Sequence, residues 1–318
     1  MTIYSLAHIH FSIEGSGALV DSLRAHFFGV EAAATVRAAH IRFRFVDDLP
    51  PMGTYLWSAP VKVGESVYET TQGGLTFQVR AEKPGWDVAI QVGASEVEFG
   101  ARAGHGAAAA GARSRDEVLA ANFLYDIFDP LTQFIHLENN ASYLRASTFE
   151  RDGRAVALVG FADNAASNSL LEALGKDGWR FLSDELGLIN RNAILHPSVS
   201  RRSAGAGAQL GVPTKLTDLF FVERANTAKF EQHSISIPNV ARQTAVLLQR
   251  ELNACVEDAT ALHCASFYPI LPRPDDFYQT CFNIARQGFA AQGPIAIRMP
   301  LEAGADDLAK FLGKKLGA

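Results

Sequence analysis

The stretch from Ala155 to Asn190, AVALVGFADNAASNSLLEALGKDGWRFLSDELGLIN, constrains the fold more than any other part of the chain. Val156, Ala157, Leu158 and Val159 form a wholly apolar run ending at Gly160, the pattern of a central strand buried on both faces. A turn without apolar anchors follows. Leu170, Leu171, Ala173 and Leu174 then recur at helical spacing, and Gly178 closes that element as a helix C-cap does. Trp179 to Leu182 predicts a second strand, with Ser183, Asp184 and Glu185 at its end. A strand, turn, helix and strand in this order belongs to an α/β architecture.

The turn occupies the register of a phosphate-binding loop, G-x-x-x-x-G-K-[ST]. Gly160 takes the place of the first glycine and Ser167 that of the hydroxyl, while Ala165 and Ala166 stand where the second glycine and the lysine would be. A lost charge-assisted hydrogen bond from lysine to phosphate costs roughly 1.5 to 3 kcal/mol. That is about tenfold to a hundredfold in affinity. Where the second glycine must take a positive φ, alanine adds about 1 to 2 kcal/mol of strain. Asp163 also sets a carboxylate where backbone N–H groups should face an anion. Together these changes argue against ordinary handling of ATP.

The flanking motifs extend the pattern. Leu144-Arg145-Ala146-Ser147, Arg151-Asp152-Gly153-Arg154-Ala155, the loop, and Gly178-Trp179-Arg180-Phe181-Leu182-Ser183-Asp184-Glu185 follow one another in order. This arrangement resembles the core of the HPr kinase/phosphorylase family, and in particular its HPr-kinase-related serine kinases. The resemblance covers roughly Ser142 to His196. Those relatives carry a His-Ala-Ser triplet before the loop strand and an intact loop. This chain departs from them at Arg145, where they have His, at Asp163 and Ala165, where they have Gly, and at Ala166, where they have Lys.

The resemblance implies roles position by position. Asp184 and Arg145 fall on the catalytic positions, with Asp184 as a base or its vestige. Gly160, Asp163, Ala165, Ala166, Ser167 and Asn168 fall on the loop that would hold a nucleotide, and Ser167, Asp184 and Glu185 would hold Mg²⁺ if one bound. Carboxylates at the end of a central strand face the loop, where open α/β sheets place ligands. Arg145 cannot act as a base near neutral pH. It can pair with Asp163 or Asp184 and neutralise an empty site; alternatively it supplies the charge lost at Ala166 and binds an anion, together with Arg201, Arg202 or Lys215.

At 318 residues and 48% apolar composition, the chain can bury a sizeable core and splits into two domains. The division expected is a β-rich N-terminal domain over 1–113 and an HPr-kinase-like α/β domain with a mixed sheet over 114–318, with 114–141 as a connecting helix. A net charge of −5 without a large Lys/Arg cluster gives no footprint for nucleic acid or an anionic membrane. The N-terminus has no signal-peptide pattern and no apolar run is long enough to span a bilayer, so the cytoplasm is the expected location. Cys255, Cys264 and Cys281 are odd in number and lack C-x-x-C spacing, which favours core packing.

Along the first domain, Tyr4 to Ile13 predicts an opening strand with His8 and His10 on one face, a possible half of a metal site without a third ligand. A short helix over Gly15–Gly29 precedes alternating segments that read as an antiparallel β-rich unit. Ser114 opens a helix with acids in its first turn, expected to pack on the second domain and to bend or restart at Pro130. Residues 196–213 read as a Gly-rich loop beside the site. Asp218–Val222 and Ile295–Arg298 predict strands, and Asp275–Phe289 and Ala305–Leu316 predict helices.

Two functions follow from different classes. One is a catalytically degenerate HPr-kinase-like protein without a cofactor, holding a protein or peptide and able to self-associate. The alternative is an atypical serine kinase that uses Mg-ATP on a peptide or small-molecule hydroxyl.

Overall fold

A computed structural model describes residues 2–28, 38–50, 61–62, 67–72, 74–82, 85–93, 114–160, 173–183, 186–198, 211–236, 238–240, 276–289 and 293–316, and the single residues 30, 32, 36, 170 and 242. The protein is mixed α/β with two mixed sheets. Two compact units divide the chain, one of 1–135 with 252–274, the other of 136–251 with 275–318.

The first unit is built on the sheet β1-β2-β3-β7-β6-β5-β4, whose strands are Ile3–Leu6 (β1), Ile9–Glu14 (β2), Ile41–Phe45 (β3), Val61–Lys62 (β4), Val67–Gln72 (β5), Leu75–Glu82 (β6) and Gly85–Val92 (β7). It corrects the expectation of a purely antiparallel unit. β2 runs parallel to β3, and β3 parallel to β7. A parallel pair needs a crossover, and helix α1 (Ala18–His26) supplies the one between β2 and β3. The opening strand is also two strands. Ala7, at φ 53, and His8 form a two-residue turn between paired Leu6 and Ile9. His8 therefore does not share a strand face with His10.

Period-2 alternation puts Phe11, Ile13, Ile41, Phe43, Phe77, Val79, Val88 and Ile90 on one buried face of this sheet. Against it lie α1, then α2 (Arg115–Asn122), a π-helical segment (Phe123–Phe128) and the start of α3 (Asp129–Glu138). The helix opened by Ser114 was expected on the second domain, but its aromatic side chains belong to this core. Phe123 meets Phe43 at 5.1 Å, and Phe128 meets Phe11 at 5.0 Å and Phe27 at 4.9 Å, centroid to centroid. Aromatic rings facing an aromatic-rich sheet give both area burial and favourable edge contacts, which fixes the choice. The start itself is as read: Ser114 and Glu117 form a reciprocal capping box.

The second unit carries β8 (Ala141–Arg151), β9 (Arg154–Val159), β10 (Arg180–Ser183), β11 (Leu186–Asn190), β12 (Ile194–His196), β13 (Thr214–Ala225), β14 (Glu231–Ser234) and β15 (Ile295–Pro300). β9 pairs antiparallel with β8 and parallel with β13, and β13 pairs parallel with β15. β8 also pairs with β11, β11 with β12, and β12 with β13, so these pairings close a circuit of β8, β11, β12, β13 and β9. One face buries Phe149, Val156, Leu158, Phe181, Phe220, Val222, Ile297 and Met299 against Leu170 and Leu174 and against helix α5 (Ala305–Leu316). Helix α4 (Asp276–Ile284) and a π-helical segment (Ala285–Phe289) complete the described elements. In α5, Ala305, Leu308, Ala309, Leu312 and Leu316 recur at the 3–4 residue spacing that puts them on one buried face.

Candidate functional site

The site begins with β9, whose Ala155–Val159 are all buried between β8 and β13. The strand ends in Gly160 at φ 86, and a Cβ there would lie 2.6 Å from the Val222 carbonyl oxygen. Both the left-handed backbone and the close approach of β13 require glycine at this position. Residues of the turn that follows, Asp163, Ala165, Ala166, Ser167 and Asn168, lie outside the described residues, as do Asp184 and Glu185.

The ladders bring Arg145 to the same end of β9. Ala146 pairs with Val159, the last residue of β9, so Arg145 is the next position along β8. Its partner on the other side is Leu186, the first residue of β11. The β10–β8 register shifts between Phe181 and Ser183; from there Ser183 pairs with Thr148 and Leu186 with Arg145, so the end of β10 and the start of β11 share one register on β8. Half-buried Arg145 thus stands at the carboxyl end of β9, beside Gly160 on one side and paired with Leu186 on the other.

Ser183 is used structurally. Its hydroxyl and that of Thr148 share a hydrogen bond of 2.8 Å, and it donates to the Ala146 carbonyl at 3.3 Å. A Cβ on Gly187 would meet Thr148 Cγ2 at 2.9 Å, so the packing here leaves no room beside the hydroxyl pair. The outer side of β10 holds both flanks of the Gly-rich loop. Ser198 N–H donates to Leu182 O at 2.9 Å and Gly211 N–H to Phe181 O at 2.7 Å. Residues 199–210 between these anchors, Arg201 and Arg202 among them, lie outside the described residues.

The two outlying motif pieces also meet. The Arg151 guanidinium lies 4.8 Å over the Trp179 ring and donates to Asp177 O at 2.9 Å, beside Gly178 at φ 81. At the base of β9, Arg154 pairs with Asp218 at 3.1 Å and donates to Leu316 O at 2.9 Å, tying the strand to the last turn of α5.

One polar residue here carries no sequence signal. Glu150, just before the turn at Asp152-Gly153, is fully buried. Arg180 Nε approaches one carboxylate oxygen at ion-pair distance, but neither oxygen has a hydrogen bond of proper geometry. The guanidinium is close but misaligned, so the contact is an ion pair rather than a fork-like bidentate bond. Gly211 closes the space above, where a Cβ would lie 2.7 Å from Glu150 Cγ.

Elsewhere, Cys281 is buried and burial pushes its thiol up to about 12, so it behaves as a small apolar side chain. Cys255 and Cys264 lie outside the described residues. Burial lowers the pKa of His196, whose Nε2 lies 3.3 Å from Asn190 Nδ2. Among the described residues, no group of three or more His, Cys, Asp or Glu could hold a metal ion, and no helix is long and apolar enough to cross a membrane. No family model matches this chain, and no curated protein does.

Proposed function

We propose that this chain is a catalytically degenerate relative of HPr-kinase-like proteins that holds a peptide or protein at the carboxyl end of β9. The observation that supports this reading is at Gly160. A buried strand ends there in a glycine at φ 86, the position where the resemblance sets the first glycine of a phosphate-binding loop, while the sequence that follows has Ala165 and Ala166 in place of Gly and Lys. The missing lysine alone weakens a phosphate grip about tenfold to a hundredfold. Calorimetric titration of the full chain with Mg-ATP and Mg-ADP tests it, set beside the Ala165→Gly, Ala166→Lys double variant. The expected result is no binding by the wild type at millimolar nucleotide and measurable binding by the double variant. Clear binding by the wild type overturns the reading.

The place of Arg145 favours a second reading. Its register position lies beside Gly160 at the end of β9, and in this reading its charge stands in for the lost lysine. The protein would then be an atypical serine kinase using Mg-ATP on a peptide or small-molecule hydroxyl. Under that reading Asp184→Ala abolishes phosphate transfer and Arg145→Ala weakens nucleotide binding. Two variants that behave as wild type would remove it.

A further inference from the structure

In the first unit, His10 of β2 and His40, one residue before β3, stack their imidazoles with ring centroids 5.1 Å apart and planes inclined by 19°. The backbones are joined as well. His40 N–H donates to His10 O at 2.6 Å, and His10 N–H donates to His40 Nδ1 at 3.0 Å. A ring nitrogen accepts only when it carries no proton, so the neutral His40 with its proton on Nε2 is the form that makes this link. A metal ion lies in the plane of each imidazole that binds it. Two nearly parallel, stacked rings cannot both meet that condition, so the geometry does not suit a shared ion.

The charged neighbours are already engaged. On the same side of the sheet the register places Ser5 of β1, Ser12 and Glu14 of β2, Arg42 and Arg44 of β3, and Asp87 of β7. Glu14 accepts the Ser12 hydroxyl at 3.1 Å, and Asp87 is held by Arg44 and, at 3.4 Å, by Arg42. No carboxylate among the described residues contacts either imidazole to favour its charged form. Burial first, and the neighbouring His10 second, push the pKa of His40 below its ordinary value of 6.5.

We propose that the His10–His40 contact is an acid-sensitive joint at the start of the β2–β3 pairing. A proton on His40 Nδ1 replaces the acceptor by an N–H aimed at the His10 N–H, which breaks the link. Further along the ladder, Phe11 opposite Ile41 and Ile13 opposite Phe43 hold the strands by apolar packing and do not respond. Because the folded-state pKa of His40 is lowered, its contribution to stability declines as pH falls below 6.5, while the joint itself holds past 6.5 and opens as pH falls through the lowered value.

Amide hydrogen exchange of the full chain at pH 7 and stepwise down to pH 4, corrected for intrinsic rates, reads this at single residues. The expected result is a fall in protection of the His10 amide of about tenfold relative to the Phe43 amide, the scale of one lost hydrogen bond. His40→Asn, whose side-chain oxygen accepts without titrating, should keep the His10 amide protected over the same range. In the wild type, the His40 ring should also titrate below 6.5 by NMR, a readout that needs no variant. Unchanged His10 protection, the same loss in His40→Asn, or a His40 ring titrating at or above 6.5 each overturns the proposal.

Discussion

A methyl group on residue 160 would lie 2.6 Å from the carbonyl oxygen of Val222. Gly160→Ala therefore meets both a backbone clash and a left-handed φ of 86, and β13 must shift to admit it. The expected loss of stability is about 2 to 4 kcal/mol, from about 1 to 2 kcal/mol of strain plus overpacking. Gly153→Ala is the control: φ is 80 but nothing lies within 4 Å, so only the strain is expected. Urea denaturation of the two variants checks the difference, and equal losses would show that the approach of Val222 is not felt.

The buried pair Glu150–Arg180 is expected to be asymmetric. Arg180→Ala leaves a carboxylate with no charge partner among the described residues in a fully buried place and should cost about 2 to 4 kcal/mol. Glu150→Gln removes the buried charge and frees Arg180, whose side chain is 43% exposed, to meet water. Its loss should be about 1 kcal/mol or less. Denaturant midpoints of the two variants decide this, and a larger loss in Glu150→Gln contradicts it.

In the first unit, Asp87 has 4% of its side chain exposed and takes a bidentate contact from Arg44 and a longer one, 3.4 Å, from Arg42. Arg44→Ala should destabilise by about 1 to 3 kcal/mol, as the loss of a charge-assisted bond to a buried group. Arg42 is 46% exposed, and Arg42→Ala should cost less than about 1 kcal/mol. A double-mutant cycle with Asp87→Asn measures both couplings, and equal values would contradict the geometry.

His26 is buried in α1 edge-on to Phe27, and burial lowers its pKa from 6.5 to about 4. The unfolded chain takes up its proton first, so the stabilising contribution is whole above 6.5 and is lost as pH falls towards 4. The loss by pH 5 is about 2 kcal/mol. His26→Gln should flatten the pH dependence of unfolding between pH 7 and 5. Wild-type stability that is level across this range would contradict the burial argument.

Much of this fold is legible in the sequence where one physical rule acts alone. Val156–Val159 read as a doubly buried strand and Ala305–Leu316 as an amphipathic helix, and both are found, because run length and period settle them without reference to distant residues. Partner choice is not written that way. The parallel pairing of β3 with β7 joins strands separated by the β4–β6 meander, and the aromatic stripe of Phe123 and Phe128 could have faced either unit. Exposed β14, Glu231–Ser234, has no apolar alternation to signal it. At the site, the glycine that ends β9 is legible from the apolar run before it, while nothing in the sequence tells that Arg180 and Gly211 close over Glu150.

The circuit of β8, β11, β12, β13 and β9 has a consequence for how the second unit comes together. None of its five members is an outermost strand, so it cannot be peeled from one side; two ladders must give way at once. Its last member in sequence, β13, begins at Thr214, and the ladder that shuts the ring joins it to β9 some sixty residues earlier. A nascent chain that stops before Thr214 therefore holds β8, β9, β10, β11 and β12 with the ring still open. Such distant closure makes assembly late and all-or-none.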